Sequence, residues 1–244
     1  MLTRDLIVIG ASAGGLRAVR QIAQLLPSTF GACVLVVLHI SRASRGMLAS
    51  VISWRSGLPV KQAEHGDPIR PGQIYIAPAD YHMSVGVQGI ELDQGPRVNR
   101  ARPAIDPLFL SAARLYGNRV AGVVLTGFLQ DGTAGLVAIK RAGGVSIVQD
   151  PLDAEFPHMP QTALQGAPVD YCAPLAEIPL LLNRLALGLS GQLPAAERAA
   201  LARLETPAWH GLVLILFLAP DWSLDDPLSV VLFDQLQLAL VAKN

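Results

Sequence analysis

A serine, a histidine and an aspartate each follow an apolar run in this chain. Ser12 comes after "DLIVIG" (Asp5–Gly10), His39 closes on "CVLVVL", and Asp131 lies beyond the run from Val120 to Leu125. A serine hydroxyl is a poor nucleophile at neutral pH and needs a base within hydrogen-bond reach. An imidazole suits that task, and it needs a carboxylate to fix its tautomer and stabilise its cation. Those three residue types together carry out acyl transfer: Ser12 attacks, His39 takes the proton, and Asp131 orients His39. A tetrahedral oxyanion then needs preorganised donors. The turn Gly10-Ala11-Ser12-Ala13-Gly14-Gly15 leads into a helix, so its backbone N–H groups and the positive end of the helix dipole are on offer. The N–H of Ala13 is the first candidate, and Gly14 lets the backbone come close to a substrate.

The same turn invites a phosphate-binding reading, which two residues oppose. A dinucleotide fingerprint wants glycine where Ser12 stands, and an acid near the end of the second strand where His39 stands. Gly10-Ala11-Ser12-Ala13-Gly14 fits the G-x-S-x-G elbow of α/β-hydrolases literally, yet the chain order here is Ser, His, Asp rather than Ser, acid, His. A different fold is implied. Asp80, Asp106 and Asp150 compete with Asp131 as the acid. Asp106 suits a helix N-cap, and Asp150 ends a strand and is the better rival. His82 and His158 compete with His39, but neither follows a long buried strand. Each residue has a plain structural reading as cap, turn or core residue; the signal is their joint placement.

The elements that must position these residues alternate strand and helix. "GLRAVRQIAQLLP" puts Leu16, Val19, Ile22, Leu25 and Leu26 on one helical face. The unbroken Val and Leu of Cys33–Ile40 predict a parallel strand covered on both faces. A helix is expected across "RGMLASVISWRSG". The stretch after it is rich in Gly, Pro and short alternating runs, which predicts small strands and hairpins inserted between the parallel strands. Helical spacing returns at Pro107–Gly117, a strand at Val120–Leu125, a helix at "TAGLVAIKRAGG", a strand at "VSIVQD", then helical pieces to about residue 188. The expectation is an α/β fold, a modified doubly wound and mainly parallel sheet flanked by helices with a small inserted hairpin region. Such sheets bind ligands beyond the carboxyl ends of their strands. Residues 1–190 read as the catalytic domain, and 191–244 as an extension with an amphipathic helix and apolar segments.

Composition narrows the function. Of the 244 residues 51% are hydrophobic and 16% charged, enough apolar matter for a sizeable core. A net charge of zero argues against nucleic-acid binding by overall basic charge. The two cysteines, Cys33 and Cys172, form no zinc-type spacing, so neither metal nor cofactor is expected. No signal-length apolar segment opens the chain, and "GLVLILFLAP" is shorter than the roughly 20 residues a bilayer span needs. A cytoplasmic protein without membrane insertion is expected.

Five stretches in order, "IVIGASAGGLRAV", "VVLHIS", "GQIYIAPADYHM", "GPRVNRARPAIDPLF" and "VVLTGFLQDGTAGL", resemble the catalytic domain of the chemotaxis protein-glutamate methylesterases, the CheB type. The resemblance covers roughly Asp5–Leu187. It implies hydrolysis of γ-glutamyl methyl esters on chemoreceptor cytoplasmic helices, with deamidation of receptor glutamines in some members. It maps nucleophile, base and acid onto Ser12, His39 and Asp131. It also implies that the loop carrying Phe128 helps form the oxyanion site. Here Phe128 and Leu129 replace the family's Met-Gly, and Ala13 replaces its common Thr. Arg42 and Arg45 after His39, and Arg97, Arg100 and Arg102 in one loop, read either as guides for an acidic receptor helix or as solvated charges. Many members carry an N-terminal receiver domain. This sequence opens at the first catalytic strand, so control by a partner in trans, or constitutive activity, is expected. The competing reading is a non-catalytic signalling module that keeps the fold.

Overall fold

The computed structural model describes residues 3–40 and 47–189. In chain order the elements are β1 (Leu6–Ala11), α1 (Gly15–Leu25), β2 (Cys33–Leu38), α2 (Leu48–Ser53), β3 (Val60–Gln62), β4 (Ile74–Ile76), β5 (His82–Gly86), β6 (Gly89–Asp93), α3 (Ile105–Tyr116), β7 (Val120–Val124), α4 (Thr133–Arg141), β8 (Val145–Gln149), α5 (His158–Gly166), β9 (Tyr171–Ala173) and α6 (Ile178–Ala186). Among the described residues a seven-stranded sheet runs β3-β4-β2-β1-β7-β8-β9, and every neighbouring pair in it is parallel. The expected α/β fold with its mainly parallel sheet is the observed one.

The unbroken apolar strands have a direct cause. All six residues of β1 and all six of β2 are buried, because helices cover both faces. Side chains alternate between two cores. Ile7, Ile9 and Ala11 pack with α1, Ile52 and α6 on one side. Leu6 and Val8 pack with α3, α4 and α5 on the other. Each Ile, Leu or Val buried this way contributes roughly 1.5–3 kcal/mol. One register of the sheet is thereby fixed, since a one-residue slip would exchange the two faces.

The structure corrects three expectations. The middle stretch does hold the antiparallel hairpin β5–β6, but β3 and β4 in the same stretch join the main parallel sheet. Strands of three residues are too short to show a period. The same brevity hid β9, whose middle residue is Cys172. On α1 the buried face is Gly15, Ala18, Val19, Ile22 and Ala23, while Leu25 is 40% exposed. Small residues let this helix lie close to the sheet, which an apolar-periodicity count overlooks. Among the described residues no helix is long and apolar enough to cross a membrane. The readings of 191–244, and those of Arg42 and Arg45, lie outside the described residues.

The strand order matters for function. From β1 the chain proceeds to β2 on one side, and β7 flanks β1 on the other. The carboxyl ends of β2, β1 and β7 therefore border the point where the winding reverses, where open α/β sheets form their crevice.

Candidate active site

Ser12 and His39 are neighbours because of strand register. Ala11 pairs with Leu38 at the carboxyl ends of β1 and β2, and the N–H of His39 donates to the carbonyl of Ala11 at 3.0 Å. The next residues along the two strands are Ser12 and His39, on backbones about 4.8 Å apart. Ser12 is held on its other side by β7. Its N–H donates to the Thr126 carbonyl at 3.0 Å, and its own carbonyl accepts from the Gly15 N–H at 2.8 Å. Ser12 and His39 are both partly exposed, so a substrate can reach them. No hydrogen bond joins the Ser12 hydroxyl to the imidazole in this resting arrangement, a contact that catalytic pairs often tighten only with substrate.

Asp131 meets His39 from the loop between β7 and α4. The Nε2–H of His39 donates to Asp131 Oδ2 at 2.7 Å, with the carboxylate only 1% exposed. The same Oδ2 accepts from the Ile105 N–H at 2.7 Å. Oδ1 accepts from the Asp106 N–H at 3.1 Å and from the Asn99 amide at 2.8 Å. Burial by itself pushes the Asp131 pKa up. The His39 bond, the Ile105 N–H and the Asn99 amide outweigh it and hold the carboxyl below the usual carboxylate range. An ionised Asp131 is an acceptor only. Nε2 of His39 must then carry the proton of that bond, which leaves Nδ1 with its lone pair free to act as a base.

The sequence rivals have other duties. Asp106 lies in the first turn of α3, yet it caps a different helix: its Oδ1 accepts from the N–H groups of Gly132 and Gly135 at the start of α4 (3.1 and 2.8 Å). Burial is the main cause that raises its pKa, and the neighbouring Asp131 charge adds to it; bonds from Gly135, Asn99 and Gly132 offset this in part. Asp131 and Asp106 therefore cap reciprocally, each holding the start of the helix beside the other. Asp80 pairs with Arg102 at 2.8 Å, and Asp150 accepts the Leu152 N–H in a turn. His82 is buried between the Pro96 carbonyl and the Ala104 N–H. His158 lies by the Leu129 carbonyl.

Of the residues expected to bind oxyanion or substrate, Ala13 and Gly14 directly follow Ser12 in the turn. Gly14 is the N-cap of α1 with φ 72°, a left-handed conformation that glycine adopts without strain. The Ala13 carbonyl accepts from the Thr126 hydroxyl at 3.1 Å. Its N–H, at the positive end of α1, takes no partner among the described residues. Phe128 and Leu129 are 52% and 51% exposed. The Phe128 ring leans on Phe156 with centroids 4.9 Å apart. Their loop is pinned by the bonds Gly127 N–H to Phe156 carbonyl and Met159 N–H to Gly127 carbonyl, both 2.9 Å. Arg97 and Arg100 are exposed and hydrogen-bond to none of Ser12, His39 and Asp131. Arg102 clamps its own loop, donating to the Gln94 and Gly95 carbonyls at 2.7 Å besides Asp80.

Sequence reasoning missed Asn99, Thr126 and Gly127, and it read Asp106 as an N-cap without placing it at the start of α4. Thr126 ties the Ser12 turn to the Phe156 loop, accepting the Phe156 N–H at 2.8 Å. Gly127 abuts Ser12, since a Cβ there would stand 2.6 Å from Ser12 Cβ. Their only sequence signal is position, directly after a buried strand. A groove of about 480 Å³ lies between α4 and α5; Asn99, Asp106, Gln130 and Thr133 are on its wall, and Ser12, His39 and Asp131 are not.

Comparison with known proteins adds a family. The CheB methylesterase model matches residues 7–182. A putative protein-glutamate methylesterase/protein-glutamine glutaminase of Leptospira interrogans is 40% identical over 182 residues, covering 74% of this chain and 94% of the relative. A protein-glutamate methylesterase/protein-glutamine glutaminase of Pyrococcus abyssi is 38% identical over 180 residues, or 72% of this chain and 49% of that longer protein. The crystal structure of the Thermotoga maritima CheB methylesterase catalytic domain superposes with a TM-score of 0.73 at 34% identity, covering 75% of this chain and all of that one.

Proposed function

We propose, from the premise that this chain belongs to the CheB methylesterase family, that it is a serine hydrolase demethylating γ-glutamyl methyl esters of chemoreceptors through Ser12, His39 and Asp131. The observation that carries the reading is the 2.7 Å bond from His39 to a buried, ionised Asp131. That bond engages Nε2 of His39 and leaves the lone pair of Nδ1 free. The Ser12 hydroxyl loses its proton to Nδ1 as its oxygen adds to the ester carbonyl. The oxyanion meets the Ala13 N–H and the start of α1. Collapse breaks the C–O bond to the methoxy group, which leaves as methanol with the proton from His39. The imidazole next takes a proton from water, whose oxygen adds to the acyl carbon, and Ser12 departs with that proton. The product is a glutamate carboxylate. A receptor glutamine would follow the same path with ammonia leaving, the deamidation that the relatives' names include.

The catalytic unit is assigned to residues 1–190, with 191–244 an extension. Exposed Arg97 and Arg100 suit contact with acidic receptor helices. The test is methanol release from methylated receptor helices by wild type and Ser12→Ala. Loss of release in a folded Ser12→Ala supports the reading. Equal release by both proteins refutes it and leaves a binding module with the methylesterase fold.

A further inference from the structure

We propose that Asn99 is a positioning residue for this reaction, holding Asp131 so that one carboxylate oxygen is presented to His39. The inference rests on the reading of Ser12, His39 and Asp131 given above. One amide nitrogen donates both of its hydrogens to carboxylates, to Asp131 Oδ1 at 2.8 Å and to Asp106 Oδ2 at 2.8 Å. The two carboxylates are 1% and 7% exposed. Two buried anions this near repel, and each must have its lone pairs filled. Backbone N–H groups of Ile105, Asp106, Gly132 and Gly135 fill part of that need. The remainder calls for an uncharged group with two diverging donors, which an amide supplies and a hydroxyl or carboxylate does not.

The backbone under Asn99 is made for this presentation. Val98 and Ala101 bridge each other at 3.2 and 2.9 Å, and the two residues between them, Asn99 and Arg100, have φ of 49° and 67°. Asparagine tolerates that left-handed region better than most side chains. The charged groups facing the amide are Asp131 and Asp106, with His39 beyond Asp131. Arg97 and Arg100 share its loop and are exposed. Asn99 touches none of the reacting atoms, so its effect passes through Asp131. With the amide gone, Oδ1 of Asp131 loses one donor, the carboxylate turns more freely, and its charge is less well satisfied. A less satisfied anion stabilises the imidazolium more and makes His39 a poorer match for Ser12 at neutral pH.

Asn99→Gly removes the amide and leaves the left-handed turn unstrained. Asn99→Asp replaces it with a third carboxylate. Both are assayed for methanol release across pH, with thermal melting to verify folding and Ser12→Ala alongside. The expected result for Asn99→Gly is a fall in kcat of about 10- to 100-fold, the range for losing a hydrogen bond to a charged group, with KM within twofold. In both variants the acid limb of the kcat profile moves to higher pH, by about one unit in Asn99→Asp, where a charge is added. A merely structural role would lower the rate equally at every pH. The inference is overturned if folded Asn99→Gly keeps wild-type kcat, or if the rate falls with the acid limb unmoved. Either result with inactive Ser12→Ala sinks this inference alone, whereas active Ser12→Ala sinks the triad reading beneath it.

Discussion

Gly127→Ala offers the sharpest probe of how Ser12, the proposed nucleophile, is seated. Gly127 is outside the set of glycines with positive φ, so alanine meets no backbone objection there. The objection is contact: the added Cβ would stand 2.6 Å from Ser12 Cβ and 2.9 Å from Met159 Cε. Carbon atoms pack at about 3.5–4.0 Å, so the approach to Ser12 is short by about 1 Å. Met159 ends in a flexible thioether and can swing aside. Ser12 cannot move alone, because its N–H and carbonyl are both held, by Thr126 and by Gly15. Relief must therefore displace Ser12 or the Thr126–Gly127 segment that supports it. A misplacement of about 1 Å costs on the order of 100-fold in rate, and overpacking of this kind costs about 1–3 kcal/mol of stability. The assay is steady-state methanol release from methylated receptor helices, with urea denaturation reporting stability. Gly31→Ala is the control, since nothing lies within 4 Å of its added Cβ. A folded Gly127→Ala with kcat within twofold of wild type would refute the claim that Gly127 seats Ser12.

Two further outcomes follow from the same geometry. Asp131 has a depressed pKa in the folded protein, so it contributes stability that is complete above about pH 5 and erodes as pH falls below about 4, through its folded value. Urea denaturation between pH 2 and 7 should show a shallower acid-side loss in Asp131→Asn than in wild type, and parallel curves would contradict this. Leu129 holds a left-handed φ of 69° with half its surface exposed, a strain of about 1–2 kcal/mol for a residue other than glycine. Leu129→Gly should therefore leave thermal stability unchanged or raised, and a loss beyond about 1 kcal/mol would show that the side chain packs more than it strains.

Part of this protein is legible from local sequence. Apolar runs place β1, β2 and β7 to within two residues at each end, because burial on both faces selects apolar side chains along their length. Their ends therefore mark Ser12, His39 and the Asp131 loop as candidates on one sheet edge, before any coordinate is known. The remainder depends on contacts between distant residues. Asn99 reaches Asp131 across 32 positions and His39 reaches it across 92, and no local pattern encodes either meeting. The choice of Nε2 for Asp131, the exchange of helix caps between Asp131 and Asp106, and the absence of a side chain at Gly127 follow from how α3 and α4 pack over the sheet. Strands as short as β3, β4 and β9 are strands only because a neighbour supplies their hydrogen bonds. Sequence determined which side chains could do the chemistry; packing decided their distances, protonation and orientation, since those are properties of the surroundings and not of the residue.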